Sequence, residues 1–93
     1  MTHHHVKSWT YLFDEIIAGN KTADMRDKTE RDYRVGDTMT LHRYDQAKGE
    51  YTGETADVRI THVISNDTPC AMSSVALHRN YCILSLVLTN AVH

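Results

Sequence analysis

Two stretches of alternation constrain this chain most. Between Thr38 and Tyr44, Met39 and Leu41 alternate with Thr38, Thr40 and His42. Between Thr55 and Ile64, Ala56, Val58 and Ile60 recur at every second position, and His62 falls on the same face. A period of two collects these apolar side chains on one side of an extended backbone and leaves the other side polar. A helix would scatter them. The fold must therefore contain strands with one dry face.

The rest of the chain supplies partners for those strands. His4 to Trp9 reads as a short first strand, with His5, Lys7 and Trp9 on one face and Val6 and Ser8 on the other. Thr10 then reads as an N-cap, Leu12, Phe13, Ile16 and Ile17 form a helical apolar stripe, and Gly19 ends the helix. Thr22, Asp24 and Arg26 alternate with Ala23 and Met25, so a short strand there turns its polar set to one side. Asp27 to Asp32 is a charged loop, Val35-Gly36-Asp37 a turn, and Asp45 to Gly53 a hairpin connection. Asn66 to Pro69 breaks the long strand, Cys70 to Arg79 reads ambiguously as a helical turn, and Tyr81 to Leu88 closes as a buried strand. One early helix followed by antiparallel strands suggests a strongly bent sheet or barrel with the helix plugging one side.

At 93 residues the chain has room for one core, so residues 1–93 are expected to form a single domain. A net charge of −2 excludes a polycation, and any grip on nucleic acid must come from a local patch. Five of the ten basic residues lie between Lys21 and Arg34, whereas Arg79 is the only charged residue from Thr68 onward. No apolar run reaches the ~20 residues of a membrane span, and the start lacks a signal-peptide pattern, so a cytoplasmic protein with no membrane partner is expected. Cys70 and Cys82 lack the CxxC spacing and read as free, buried thiols. His3, His4 and His5 have no second cluster to complete a ligand set, so no metal is expected, and no cofactor is implied.

The segment Gly19-Asn20-Lys21-Thr22-Ala23-Asp24-Met25-Arg26 resembles the signature of ASCH domains, a branch of the PUA-like barrel superfamily: Gly, one residue, Lys, two residues, a carboxylate, one residue, Arg. The resemblance continues through Arg31-Asp32-Tyr33, Val35-Gly36-Asp37, Arg43-Tyr44-Asp45 and Tyr51-Thr52-Gly53, and takes in His5-Val6-Lys7-Ser8-Trp9. It is strongest to a short, largely uncharacterised ASCH-like group of phages and bacteria. It implies an α+β, mainly β fold: a PUA-like barrel of about five or six strands with one principal N-terminal helix. It also implies recognition of RNA or a modified nucleotide in a cleft lined by Lys21, Asp24 and Arg26. Lys7, Trp9 and Arg31 are added as ligand-binding candidates.

More distantly, the chain resembles bacterial amidohydrolases that deacylate acetylcytidine with a lysine and a threonine of this motif, helped by a distal glutamate. Lys21 matches the lysine, and Asp27, Glu30, Gly36 and Asp37 also fit, but Asp24 stands at the threonine position. If this chain is an enzyme, Lys21 and Asp24 are its catalytic candidates. A carboxylate facing Lys21 would favour its protonated form, which opposes a general-base role. Asp67 is the nearest stand-in for the distal acid. A third reading is a phage accessory protein that binds a host protein. Residue types alone also allow Asp24 and Arg26 to be a surface ion pair and Lys21 a solvated turn lysine. Trp9 suits a core or rim position better than base stacking, and His42 and His62 read as strand residues. Strand propensity accounts for the scattered tyrosines, and Arg31, Arg34 and Arg43 suit a phosphate-binding surface or a solvated loop equally. Ser73-Ser74 with His78 lacks the glycine-rich turn of a nucleophile elbow.

Overall fold

The alternation at the start of the chain becomes strand β1 (His3–Trp9), with His4, Val6 and Ser8 buried and His3, His5, Lys7 and Trp9 facing out. The computed structural model describes residues 1–29, 31–67 and 76–92. β1 runs directly into helix α1 (Thr10–Ile17). Four strands follow: β2 (Ala23–Asp27), β3 (Thr38–Asp45), β4 (Glu50–Ile64) and β5 (Tyr81–Val92). They form one sheet in the order β1-β3-β4-β5-β2, with β1 parallel to β3 and every other pair antiparallel. The protein is thus α+β and mainly β.

The sheet curls into a half-barrel. In a flat sheet the outermost strands, β1 and β2, would lie ~19 Å apart at the usual ~4.8 Å spacing. Here Arg26 Nη1 on β2 donates to the Lys7 carbonyl of β1 at 3.0 Å. The curl encloses Val6, Met39, Leu41, Val58, Ile60 and Leu84, all buried. Phe13 and Ile16 of α1 fill the concave side, as the helical stripe requires. No helix among the described residues is long and apolar enough to cross a membrane.

Gly19 (φ 82°) closes α1 as the sequence indicates. Gly19 N–H donates to Ile16 O and Asn20 N–H to Glu15 O, at 3.1 and 3.0 Å, a Schellman ending that swings the chain into β2. The start of α1 differs from expectation. Thr10 is already helical, and the cap position falls to Trp9, in extended geometry with no side-chain cap bond. The unbroken run of β1 into the helix leaves no turn in which Thr10 could act as a cap.

Three strand readings also change. The hairpin turn is confined to 46–49, and Gly53 (φ 90°) lies inside β4, where the β3–β4 register shifts at Arg43. A further irregularity between Ile60 and His62 turns His62 outward, away from the dry face assigned to it. β5 is half-buried: Cys82, Leu84 and Leu86 point inward while Val87 and Leu88 are exposed, where the β4–β5 register shifts between Asp57 and Val58. The ambiguous stretch from Cys70, with Ser73 and Ser74, falls outside the described residues as far as Val75.

Cys82 is free and buried, and burial pushes its thiol pKa up. It should therefore resist an aromatic disulfide reagent while the protein is folded and react promptly in denaturant. Rapid reaction of Cys82 in the native protein, followed by peptide mapping, would contradict this packing.

Candidate ligand cleft at the sheet seam

The gap between the two edge strands is the chemically distinctive part of the molecule. On β2, Asp24 lies opposite Leu84 and Arg26 opposite Cys82, both buried residues. Directly paired residues share a sheet face, so the two charged side chains point inward beside the open seam. Their charges compensate each other. Arg26 Nε donates to Asp24 Oδ2 at 2.7 Å, and Lys21 Nζ donates to Asp24 Oδ1 at 3.3 Å and to the Ala23 carbonyl. Asp24 therefore holds a cation on each oxygen, and Arg26 in turn reaches the Lys7 carbonyl. The chain Lys21–Asp24–Arg26–Lys7 ties the helix exit to both sheet edges.

Outside this chain of contacts, a cleft of about 680 Å³ opens at the seam. Lys7, Arg26 and Arg31 line it with the rings of Tyr33, His42 and Tyr51. His5 and Asp27 also reach it. Asp27 is the only carboxylate among the described residues of the lining. Hydrogen bonds from the Thr29 hydroxyl and backbone N–H hold its pKa below the usual aspartate value. Tyr33 is buried, which pushes its phenol pKa up against the opposing pull of Arg26 and Arg31. Lys7 Nζ stands 4.0 Å from the centre of the Tyr44 ring, a cation–π contact that holds the ammonium at the rim.

The sequence candidates divide among neighbouring hollows. Lys7, Arg26 and Arg31 share the large cleft. Trp9 is half-exposed and shares a smaller hollow with Lys7, Asp24, Met25 and Arg26, on the other side of the Arg26 bridge. Lys21 lines a third, mostly apolar hollow with Ile16, Leu86 and Val87. It reaches the seam through Asp24 and does not line the large cleft. Asp67 sits elsewhere, accepting from Lys28 at 2.7 Å beside Arg34 and Arg79. Arg43 grips Asp14 of α1 through two bonds of 3.0 and 3.1 Å and so clamps the helix to β3. Arg34 pairs with Asp32 at 2.8 Å. Among the described residues, no group of three or more His, Cys, Asp or Glu side chains is placed to hold a metal ion.

Sequence reasoning missed the ring side of the cleft and one structural pair. His5, His42 and Tyr51 come together only through the β1–β3–β4 register, and Tyr33 joins them from the segment between β2 and β3. His4 and Asp37 form a buried pair at 2.9 Å. Asp37 also accepts from the Thr2 and Arg34 backbone N–H groups, at 3.0 and 3.1 Å.

Fold and seam together define a small half-barrel protein with a cation-lined cleft between its edge strands. The chain belongs to the DUF3850 family, a domain of unknown function, whose model matches residues 3–86. It is also similar to an uncharacterised 12.9 kDa protein in the GpA 3′ region of Escherichia phage P2, 42% identical over 60 residues. That match covers 64% of this chain and 52% of the phage protein, so the chain spans about half the length of this relative.

Proposed function

We propose that this protein is an ASCH-like, PUA-like binding domain that holds RNA or a modified nucleotide at the sheet seam. The observation that supports this most is charge segregation. A chain of net charge −2 places Lys7, Arg26 and Arg31 around one cleft, with Asp27 the one opposing carboxylate among the described residues of its lining. Cations suit phosphate, and the more open rings of His42 and Tyr51 suit a base. The volume falls in the range of small-ligand sites.

Binding suits the geometry better than deacylation. A nucleophile needs a free electron pair directed at substrate, and both Asp24 oxygens are taken up by cations. Lys21 is engaged as a donor to two acceptors. Asp67 lies with Lys28, in another hollow. Asp24 thus acts as a positioning residue for Arg26.

Anisotropy titration of a labelled single-stranded RNA tests the reading. With two or three phosphates contacted, affinity should fall roughly tenfold between about 50 and 200 mM salt. In a parallel assay, acetylcytidine should release no more cytidine than a Lys21→Ala control. Absence of binding at both salts would remove the seam from consideration and favour a host protein as partner. Lysine-dependent turnover would overturn the binding-only reading.

A further inference from the structure

The outer face of the sheet carries a row of rings that core packing does not require. β1 turns His3, His5 and Lys7 outward, and its parallel register with β3 sets them beside Thr38, Thr40 and His42. β3 and β4 then place Tyr44 opposite Tyr51 on the same face. The rings touch in series. Centroid separations are 4.9 Å for His3–His5, 5.3 Å for His5–His42, 6.2 Å for His42–Tyr51 and 5.0 Å for Tyr51–Tyr44. Lys7 Nζ stands 4.0 Å from the Tyr44 centroid and 6.0 Å from that of Tyr51.

These rings lie on the opposite face from Met39, Leu41 and Val58, the buried residues of the same strands. His3, His5 and Tyr51 are exposed, and α1 packs on the other side. Strand propensity accounts for tyrosine on such a face but not for three histidines. The middle of the row, His5, His42 and Tyr51, also lines the seam cleft, and His3 and Tyr44 continue it on either side. From there it leads onto the open sheet. The face also carries Asp57, whose carboxylate accepts from Thr40 Oγ1 at 2.7 Å.

We propose that this row is a stacking platform for single-stranded nucleic acid, extending the seam cleft across β1, β3 and β4. The proposal rests on the nucleotide-binding reading of the cleft and adds the occupant's length: a strand of several nucleotides, with one nucleotide in the seam and its neighbours on the rings. β1 from His3 to Trp9 runs ~20 Å at ~3.3 Å per residue, enough for several bases. Three of the four ring contacts are edge to face, at 77°, 81° and 74°, so bases lodge against successive rings one at a time; any base can do so, and the row contributes affinity for length with little sequence preference. Lys7 stands where the cleft meets the platform and can neutralise a phosphate between them.

The test compares uridine monophosphate with uridine hexamers of ribose and of deoxyribose, titrated against the intact protein and four variants. The wild type should bind a hexamer at least tenfold more tightly than the monophosphate. That advantage should shrink at least fivefold in Tyr51→Ala, His42→Ala and His3→Ala, and persist in Tyr51→Phe, which keeps the ring. Unfolding midpoints establish that each variant is folded. Equal hexamer affinity for both sugars assigns the platform to single strands in general, and preference for ribose assigns it to RNA; each supports stacking. A hexamer advantage that survives all three alanine variants overturns the platform while leaving the cleft. Equal binding of monophosphate and hexamer by the wild type does the same. Failure of every ligand to bind overturns both the cleft reading and the platform.

Discussion

Replacing Asp37 with alanine should cost about 3–5 kcal/mol of stability, the largest loss expected from any single polar change here. Asp37 is 3% exposed and His4 6%, so their 2.9 Å contact is shielded from water. Its carboxylate also accepts the Thr2 and Arg34 N–H groups, which fastens the start of β1 to the turn before β3. Alanine would leave a buried histidine and two backbone donors unpaired. Asp37→Asn keeps the shape and one acceptor, so its loss should be smaller. Acid sensitivity should follow the same group. Burial alone would raise the Asp37 pKa, but the bonds from His4, Thr2 and Arg34 outweigh it and hold the value below the ordinary 3.8. A lowered folded-state pKa adds stability that is fully present above the unfolded value. That stability is lost as pH falls through the folded value. Denaturant unfolding of the wild type and both variants from neutral pH to below 3.8 checks each point. An Asp37→Ala midpoint equal to that of the wild type would contradict this account of the strand anchor.

Arg26→Ala should weaken nucleotide binding by roughly 10- to 100-fold, the loss expected for a charge-assisted donor aimed at phosphate. Arg26 is the one cation that both lines the cleft and closes the seam. Arg26→Lys keeps the charge but lacks the fork that engages Asp24 Oδ2 and the Lys7 carbonyl together, so it should fall between wild type and alanine. Titrations with uridine monophosphate, read beside thermal unfolding, separate lost binding from a loosened seam. Wild-type affinity in a folded Arg26→Ala protein would show that phosphate, if bound at all, sits elsewhere.

Much of this architecture is legible in the sequence because side-chain period reports burial directly. The alternation in His4 to Trp9 and Thr38 to Tyr44, and the stripe Phe13–Ile16 ended by Gly19, match the structure closely. Local spacing also foreshadows the contacts Asp24 makes with Lys21 and Arg26, since all three lie within six residues. What period cannot report is register across distant strands. Nothing near His5 in the chain indicates that its Nδ1 will meet His42 Nε2 at 3.0 Å, yet the parallel β1–β3 pairing decides it. The same holds for His4 and Asp37, separated by 33 positions. Bulges are similarly silent. The irregularity beyond Ile60 reverses the facing of His62 without any glycine or proline to mark it. The motif also places Lys21 beside Asp24, and its ammonium does reach the Asp24 carboxylate at 3.3 Å; what spacing does not report is that Lys21 also borders an apolar hollow with Ile16 and Leu86.

A nucleotide held in the seam between β1 and β2 should be visible by amide chemical-shift mapping with uridine monophosphate. Shift changes should concentrate in residues 5–9, 24–27 and 31–33 and at His42 and Tyr51, with the side-chain Nε–H resonance of Arg26 among the largest. Residues of β5 beyond Leu86 should stay in place. No perturbation at millimolar nucleotide, or perturbation confined to β5 and the turn at 46–49, would contradict this placement.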